Sequence, residues 1–368
     1  MKLRFGLLFL LFISQISIAQ DSMDAYLFAY FEGKGKGELQ EQLRFAVSRD
    51  AKNWKALNNN QPIIGSDSIS NSGGIRDPHI LRNEGQFFIV ATDMFTIKNG
   101  WGSNPGIVLM HSDNLIDWKT SAIDFKKQFP ETFKNVQWVW APQTFYDKAK
   151  DKYLIYFTIR FEGQDNLDFY SAYANRDFTG FESEPTLMFR AKYGAIDGDI
   201  IYKDGLYHLF YKGNTKNEEG EEIKNGIQQA VSKSLEGPWK EDFKYLDAYA
   251  GTKTHVEGSS VFKLNDSKEY ILMYDLYSSG RYEFQRSKDL FNFSEETESF
   301  TKDFFPRHGS VIGITEVELE RLDKKWGGVP EKNKLIFKIN EIKKHFFSDN
   351  MFTFRSEHLC AARFICSF

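Results

Sequence analysis

One pattern returns five times along the chain, and it limits the fold more than any other feature. Each copy runs from a tight apolar strand into a strand that ends in a polar pair, then a turn and an aromatic residue. The copies read FAVSRDAKNWKAL (45–57), VLMHSDNLIDWKTS (108–121), YSAYANRDFTGFES (170–183), QAVSKSLEGPWKED (229–242) and FQRSKDLFNFSEE (284–296). Their closing aromatics, Trp54, Trp118, Phe181, Trp239 and Phe293, stand 54 to 64 residues apart. That period fits one small sheet with its loops.

The strands before these segments also match. QFFIVATD (86–93), KYLIYFTI (152–159), LYHLFYKG (206–213) and EYILMYDL (269–276) are apolar and rich in aromatic and β-branched residues. Turn sequences such as RNEG and YKDG precede them, as hairpins require. An aromatic share of 16% supports strands over helices. Five units of four antiparallel strands predict an all-β, five-bladed β-propeller around a central axis. AYLFAYF (25–31) lacks an inner neighbour nearby, and RHGSVIGIT (307–315) is the segment expected to pair with it and close the ring.

In a propeller the first strand of each blade lines the axis, so the starts of those strands converge at one mouth. Three acids hold that position: Asp77 in IRDPHI, Asp197 in AIDGDIIY and Glu257 in VEGSSVF. Between the first two comes VWAPQTFYD, with Trp140 in the matching place. Taken singly, each acid has an ordinary structural reading as a turn cap or an edge charge. Their recurrence at equivalent places favours a shared site.

The ordered set DP, WAP, ID and EGSS resembles the five-bladed glycoside hydrolases of family 43, over roughly residues 25–326. That family includes α-L-arabinofuranosidases, β-xylosidases, arabinanases and galactosidases. Family members commonly carry glycine-proline after the acid, whereas Glu257 is followed by Gly258 and Ser259. The resemblance implies an inverting mechanism with Asp77 as general base, Glu257 as general acid and Asp197 as pKa modulator. Inversion needs a carboxylate on each face of the sugar, ~6.5–9.5 Å apart, with room for water. Glutamate suits the acid through its longer arm and higher reference pKa. An ionised Asp197 nearby would help it keep a proton. Asp199, two residues on, is a rival that alternation puts on the same face; Asp197 is preferred because it matches the family's ID.

Four further residues are candidates for holding substrate. Trp140 reads either as a wall on which a sugar ring stacks or as a core residue. Trp101, in the long TIKNGWGSNPG loop, is placed at a further subsite. Arg307 and His308 lie near the axis if the closing strand is placed correctly. Arg307 could bind a sugar hydroxyl or be a surface arginine. The resemblance implies that His308 sits beneath the site, where a structural calcium or a water cluster can lie on the axis. Calcium takes six to eight oxygens, so a lone histidine is a poor signature for it. No cofactor is required.

The expected substrate is a plant-type oligo- or polysaccharide carrying arabinofuranosyl or related pentosyl groups. β-Xylosidase or galactosidase activity, or sugar binding without cleavage, are the alternatives. A net charge of −4 gives no reason to expect nucleic acid. The chain has no G-x-S-x-G elbow, H-E-x-x-H helix or Walker loop.

Residues 1–19 read as a signal peptide, with Lys2 and Arg4 ahead of an apolar run too short to span a bilayer and a small-residue site before Gln20. Export to the periplasm or exterior is therefore expected, without a membrane anchor. The propeller is assigned to residues 20–326. Residues 327–368 form a basic, phenylalanine-rich tail outside the pattern, carrying the chain's two cysteines, Cys360 and Cys366. The polar stretches 33–42 and 214–225 read as solvated insertions.

Overall fold

The computed structural model describes residues 22–33, 37–216 and 222–329. They form five four-stranded antiparallel sheets arranged as a five-bladed β-propeller. Blade 1 holds β1 (Ala25–Phe31), β2 (Arg44–Ser48) and β3 (Lys55–Ala56). Blade 2 runs from β4 (Ile75–Asn83) through β5 (Gln86–Asp93) and β6 (Gly106–Ser112) to β7 (Lys119–Asp124). Blade 3 is β8 (Val136–Asp147), β9 (Lys152–Phe161), β10 (Asp168–Tyr173) and β11 (Thr186–Phe189). Blade 4 is β12 (Ala195–Lys203), β13 (Leu206–Lys216), β14 (Glu222–Ser232) and β15 (Lys240–Asp242). Blade 5 is β16 (Glu257–Lys263), β17 (Tyr270–Leu276), β18 (Arg281–Ser287) and β19 (Glu298–Ser299). The last strand, β20 (Arg307–Ile314), returns to blade 1 and pairs antiparallel with β1, with Leu27 opposite Ile312. The ring thus closes by the pairing expected from sequence, which gives β1 the inner neighbour that the other blades supply locally.

Local chemistry explains the repeat. At the β4–β5 and β12–β13 hairpins, Glu84–Gly85 and Asp204–Gly205 both have positive φ, as two-residue primed turns demand. After the third strand, Asp50, Asn114 and Asp289 each accept two backbone N–H groups from residues two and three positions on. The indoles of Trp54 and Trp118 then donate to the carbonyls of Ala51 and Leu115. In blades 1, 2 and 5 a polar residue after the third strand thus turns the chain towards the fourth, and in blades 1 and 2 the following indole locks the turn. Apolar faces pack between blades: Leu27, Phe45 and Val47 meet Ile80, Phe87 and Ile89 in one such layer.

Three segments differ from expectation. The stretch 214–225 is not simply a solvated loop: Asn214 pairs with Asn225 and Lys216 with Glu222, so the β13–β14 hairpin extends into it. Gln40, Glu41 and Gln42, at the end of the other polar stretch, are buried. Glu316–Trp326 is an α-helix, opened by a capping box in which Thr315 and Glu318 exchange hydrogen bonds. Leu319 and Leu322 seat it in the layer between blades 1 and 2, while Arg49 pairs with Glu316 and Arg82 with Glu318. Val329 also packs there. The proposed signal peptide, the rest of the tail and both cysteines lie outside the described residues. Among the described residues, no helix is long and apolar enough to cross a membrane.

Candidate active site

Every inner strand carries a bulge at the same height. The pairing register shifts between Arg76 and His79, Trp140 and Gln143, Ile196 and Asp199, Glu257 and Ser260, and between Ala29 and Phe31 opposite β20. In four of the five, the first bulged residue has positive φ: Asp77 (50°), Ala141 (45°), Asp197 (57°) and Gly258 (66°). Three of these are not glycine, and such strain persists where surrounding structure over-determines it, often at functional sites. Pro78 and Pro142 follow in the bulge, a place that tolerates a residue without N–H. This accounts physically for the DP and AP pairs.

The bulges stack the axial side chains in rings. The outermost contains Arg76, Trp140, Ile196, Glu257 and Arg307; Asp77, Ala141, Asp197, Gly258 and His308 come next. Asp77, Asp197, Glu257, Trp101, Trp140, Arg307 and His308, all singled out from sequence, line one cavity of about 680 Å³. That volume lies within the ~300–1,000 Å³ usual for small-ligand sites. Asp199 belongs to a deeper ring. It is buried, accepts from the Val261 N–H at 2.6 Å and does not line the cavity. An extra residue in the strand breaks the period of two, so Asp197 and Asp199 are not interchangeable.

His308 lies between two carboxylates, its Nδ1 3.4 Å from Asp77 and 3.7 Å from Asp197. Burial disfavours its charge, but Asp197 and Asp77 outweigh that and push its pKa up to about 9. The stability this adds is present below its ordinary ~6.5 and is lost as pH rises through about 9. Asp77 shows the reverse. Burial raises its pKa, yet His308, Arg76 and a 3.0 Å hydrogen bond from the Thr92 hydroxyl bring it below the ordinary value. Burial pushes Asp197 up, reinforced by Glu257 and Asp77 and opposed by His308. Its Oδ2 accepts from the Gly258 N–H at 2.9 Å, tying it to the residue after Glu257.

Glu257 has partners that sequence did not indicate. Lys212 lies 3.3 Å from one oxygen and Arg307 3.2 Å from the other. Arg307 also pairs with buried Asp275, whose pKa burial pushes up to about 7 against that pull. Lys212 and Asp275 stand on second strands, directly opposite Ile196 and Glu257 in register. Cross-strand register was their only available signal. The resemblance left a structural calcium possible at His308. His308 offers a single imidazole, and among the described residues no group of three or more His, Cys, Asp or Glu side chains could hold a metal ion.

Glu41 braces the cavity wall from blade 1. It is buried and takes 2.7 Å hydrogen bonds from the Arg76 guanidinium and from both the N–H and hydroxyl of Thr96, at the head of the Trp101 loop. Arg76 in turn lies over the rings of Phe31 and Trp101. Glu41→Ala leaves Arg76 unpaired in a largely buried place and is expected to cost about 3–5 kcal/mol. Denaturant titration of both proteins checks this; an unchanged midpoint would remove the brace from the account.

Comparison with known proteins bears on the fold and the family. Over 298 residues the chain is 26% identical to an α-L-arabinofuranosidase of Bifidobacterium longum, covering 71% of this chain but 28% of that relative. Among solved structures, an α-L-arabinofuranosidase from Clostridium thermocellum matches with a TM-score of 0.53 at 10% identity, over 78% of this chain and 92% of that one. An endo-1,4-β-xylanase from Bacteroides thetaiotaomicron matches at 0.52 and 17% identity, over 77% and 97%. At such identities these structures bear on the fold alone. The model of the family described as "probable glycosyl hydrolase domain" matches residues 21–320, and with it the chain belongs to the glycoside hydrolases of family 43 and their relatives.

Proposed function

We propose that this glycoside hydrolase removes α-L-arabinofuranosyl or related pentosyl units from plant polysaccharide with inversion, and that residues 1–19 direct its export. The observation that carries the reading is the convergence of Asp77, Asp197 and Glu257 on one cavity. In the proposed reaction Asp77 takes a proton from water as that water attacks the anomeric carbon. Glu257 gives a proton to the departing glycosidic oxygen as the bond breaks. Asp77 suits a base because neighbouring cations and Thr92 favour its ionised form. Asp197 holds the bulge beside Glu257 through the Gly258 N–H. Trp140, fixed by a 2.8 Å hydrogen bond from its indole to Asn104, forms a wall for the sugar ring, and Trp101 stands across it at the rim.

The test is hydrolysis of nitrophenyl α-L-arabinofuranoside, β-xyloside and β-galactoside, followed by proton NMR of the first product formed. Turnover of the arabinofuranoside with release of the opposite anomer is expected. Preference for another glycoside would reassign the sugar, and a retained anomer would end the inverting mechanism. Binding without turnover of any glycan would leave a sugar-binding propeller.

A further inference from the structure

From the cavity wall an aromatic ladder runs outward along blade 3, and its outer rungs, Trp138 and Arg160, take no part in the proposed reaction. The Trp138 and Trp140 rings stack with centroids 4.1 Å apart and planes 9° from parallel. Trp140 meets Trp101 edge-on at 6.3 Å. The free face of Trp138 is covered by Arg160, its cross-strand neighbour, with the guanidinium carbon 3.2 Å from the ring centroid. The indole of Trp138 donates to the Gly102 carbonyl at 3.0 Å, tying the ladder to the Trp101 loop. A row of planar groups therefore runs from the cavity wall outward to a cation.

Arg160 differs from the cavity's own arginines. Arg76 is paired with Glu41, and Arg307 with Glu257 and Asp275. Among the described residues no carboxylate lies within ion-pair distance of Arg160. Asp165 acts on it only through its field, and neighbouring Glu162 faces Lys126 at 4.0 Å. Its fixed contacts are to a neutral group: Nε and Nη2 donate to Gln137 Oε1 at 3.1 and 2.7 Å. That occupies one edge of the guanidinium and holds its plane on the indole. The edge between Nη1 and Nη2 remains, and two parallel N–H groups there match a carboxylate. Stacking also weakens hydration of the cation, which lowers the cost of meeting an anion.

We propose that Arg160, carried on Trp138 and oriented by Gln137, is a subsite for the carboxylate of a uronic acid residue on the glycan leading away from the cavity. This rests on the glycosidase reading and deepens it: the preferred polymer is an acidic one, in which a neutral sugar occupies the cavity and a uronate lies beyond Trp140. The contact is partly exposed, so it sets preference rather than absolute affinity, and salt weakens it.

The test uses pentose-bearing oligosaccharides containing one uronate, beside the same material with the carboxyl reduced to an alcohol. The acidic form is expected to show about fivefold higher kcat/KM at low ionic strength, as one exposed charge pair allows, and to lose that advantage in high salt. Arg160→Gln should bring the ratio of the two substrates close to one. Arg160→Lys, which keeps charge but lacks the planar fork, should fall between. Calorimetric binding of the same pair separates this proposal from the proposed reaction. Preferential binding of the acidic form without turnover upholds the subsite and sinks the hydrolase. Turnover with equal use of both forms, or an acidic preference that survives Arg160→Gln, overturns the subsite.

Discussion

Asp77→Asn is expected to lower kcat by about 10²–10⁴-fold, the range for losing a general base, while oligosaccharide binding persists. The amide has the size of the carboxylate but cannot accept the proton from water. Thr92 and His308, which hold Asp77 at 3.0 and 3.4 Å, remain to position it. The pH profile gives a second reading. With its pKa below the ordinary aspartate value of ~3.9, Asp77 stays ionised in mild acid. The acid limb of kcat/KM should therefore lie below that of an exposed aspartate. Arg76 contributes to this depression. Arg76→Met should shift the limb to higher pH, because losing a nearby cation makes the carboxylate easier to protonate. Full activity in Asp77→Asn, or an unmoved limb in Arg76→Met, would require another base.

Glu257→Gln is expected to cost a similar ~10²–10⁴-fold on unactivated oligosaccharides, and far less on a dinitrophenyl glycoside. A good leaving group departs without a proton, so the difference between substrates isolates the acid step from general damage. The distinction matters here because Glu257 is also structural, each oxygen facing a cation. Glutamine places an NH₂ group against Lys212 or Arg307, and some loss of stability is expected alongside the kinetic effect. Equal loss on both substrates would assign Glu257 to holding the ring of charges rather than to proton donation.

Much of this arrangement could be read before any coordinates. The polar-then-aromatic turns of Trp54 and Trp118 depend on contacts between residues a few positions apart, so they leave a mark in every repeat. The ring count follows from counting those marks. The start of each inner strand is likewise local, and that was enough to gather Asp77, Asp197, Glu257 and Trp140. The closing of β20 on β1 was legible because AYLFAYF had no inner neighbour nearby and RHGSVIGIT stood unpaired at the other end of the repeats.

Other features depend on residues far apart in the chain. Lys212 reaches the cavity, and Asp275 reaches Arg307 behind it, because hairpin register sets them opposite Ile196 and Glu257. Glu41 sits in a stretch whose composition reads as solvent-facing, yet it is buried because Arg76 and Thr96 from another blade supply its hydrogen bonds. The helix at Glu316–Trp326 had a local signal in its capping box that a β-only pattern passed over. Asp197 and Asp199 share a face under simple alternation, and the bulge after Ile196 moves one of them into a deeper layer.

Amino-acid order alone thus set the number of blades, their turns and the chemical groups offered at the mouth, since each follows from interactions spanning a few residues. The three-dimensional ring chose which charges face one another, which acid reaches the cavity and where Arg160 ends the aromatic ladder. Those outcomes turn on distances between strands remote in sequence, and electrostatic energy follows distance in space, not position along the chain.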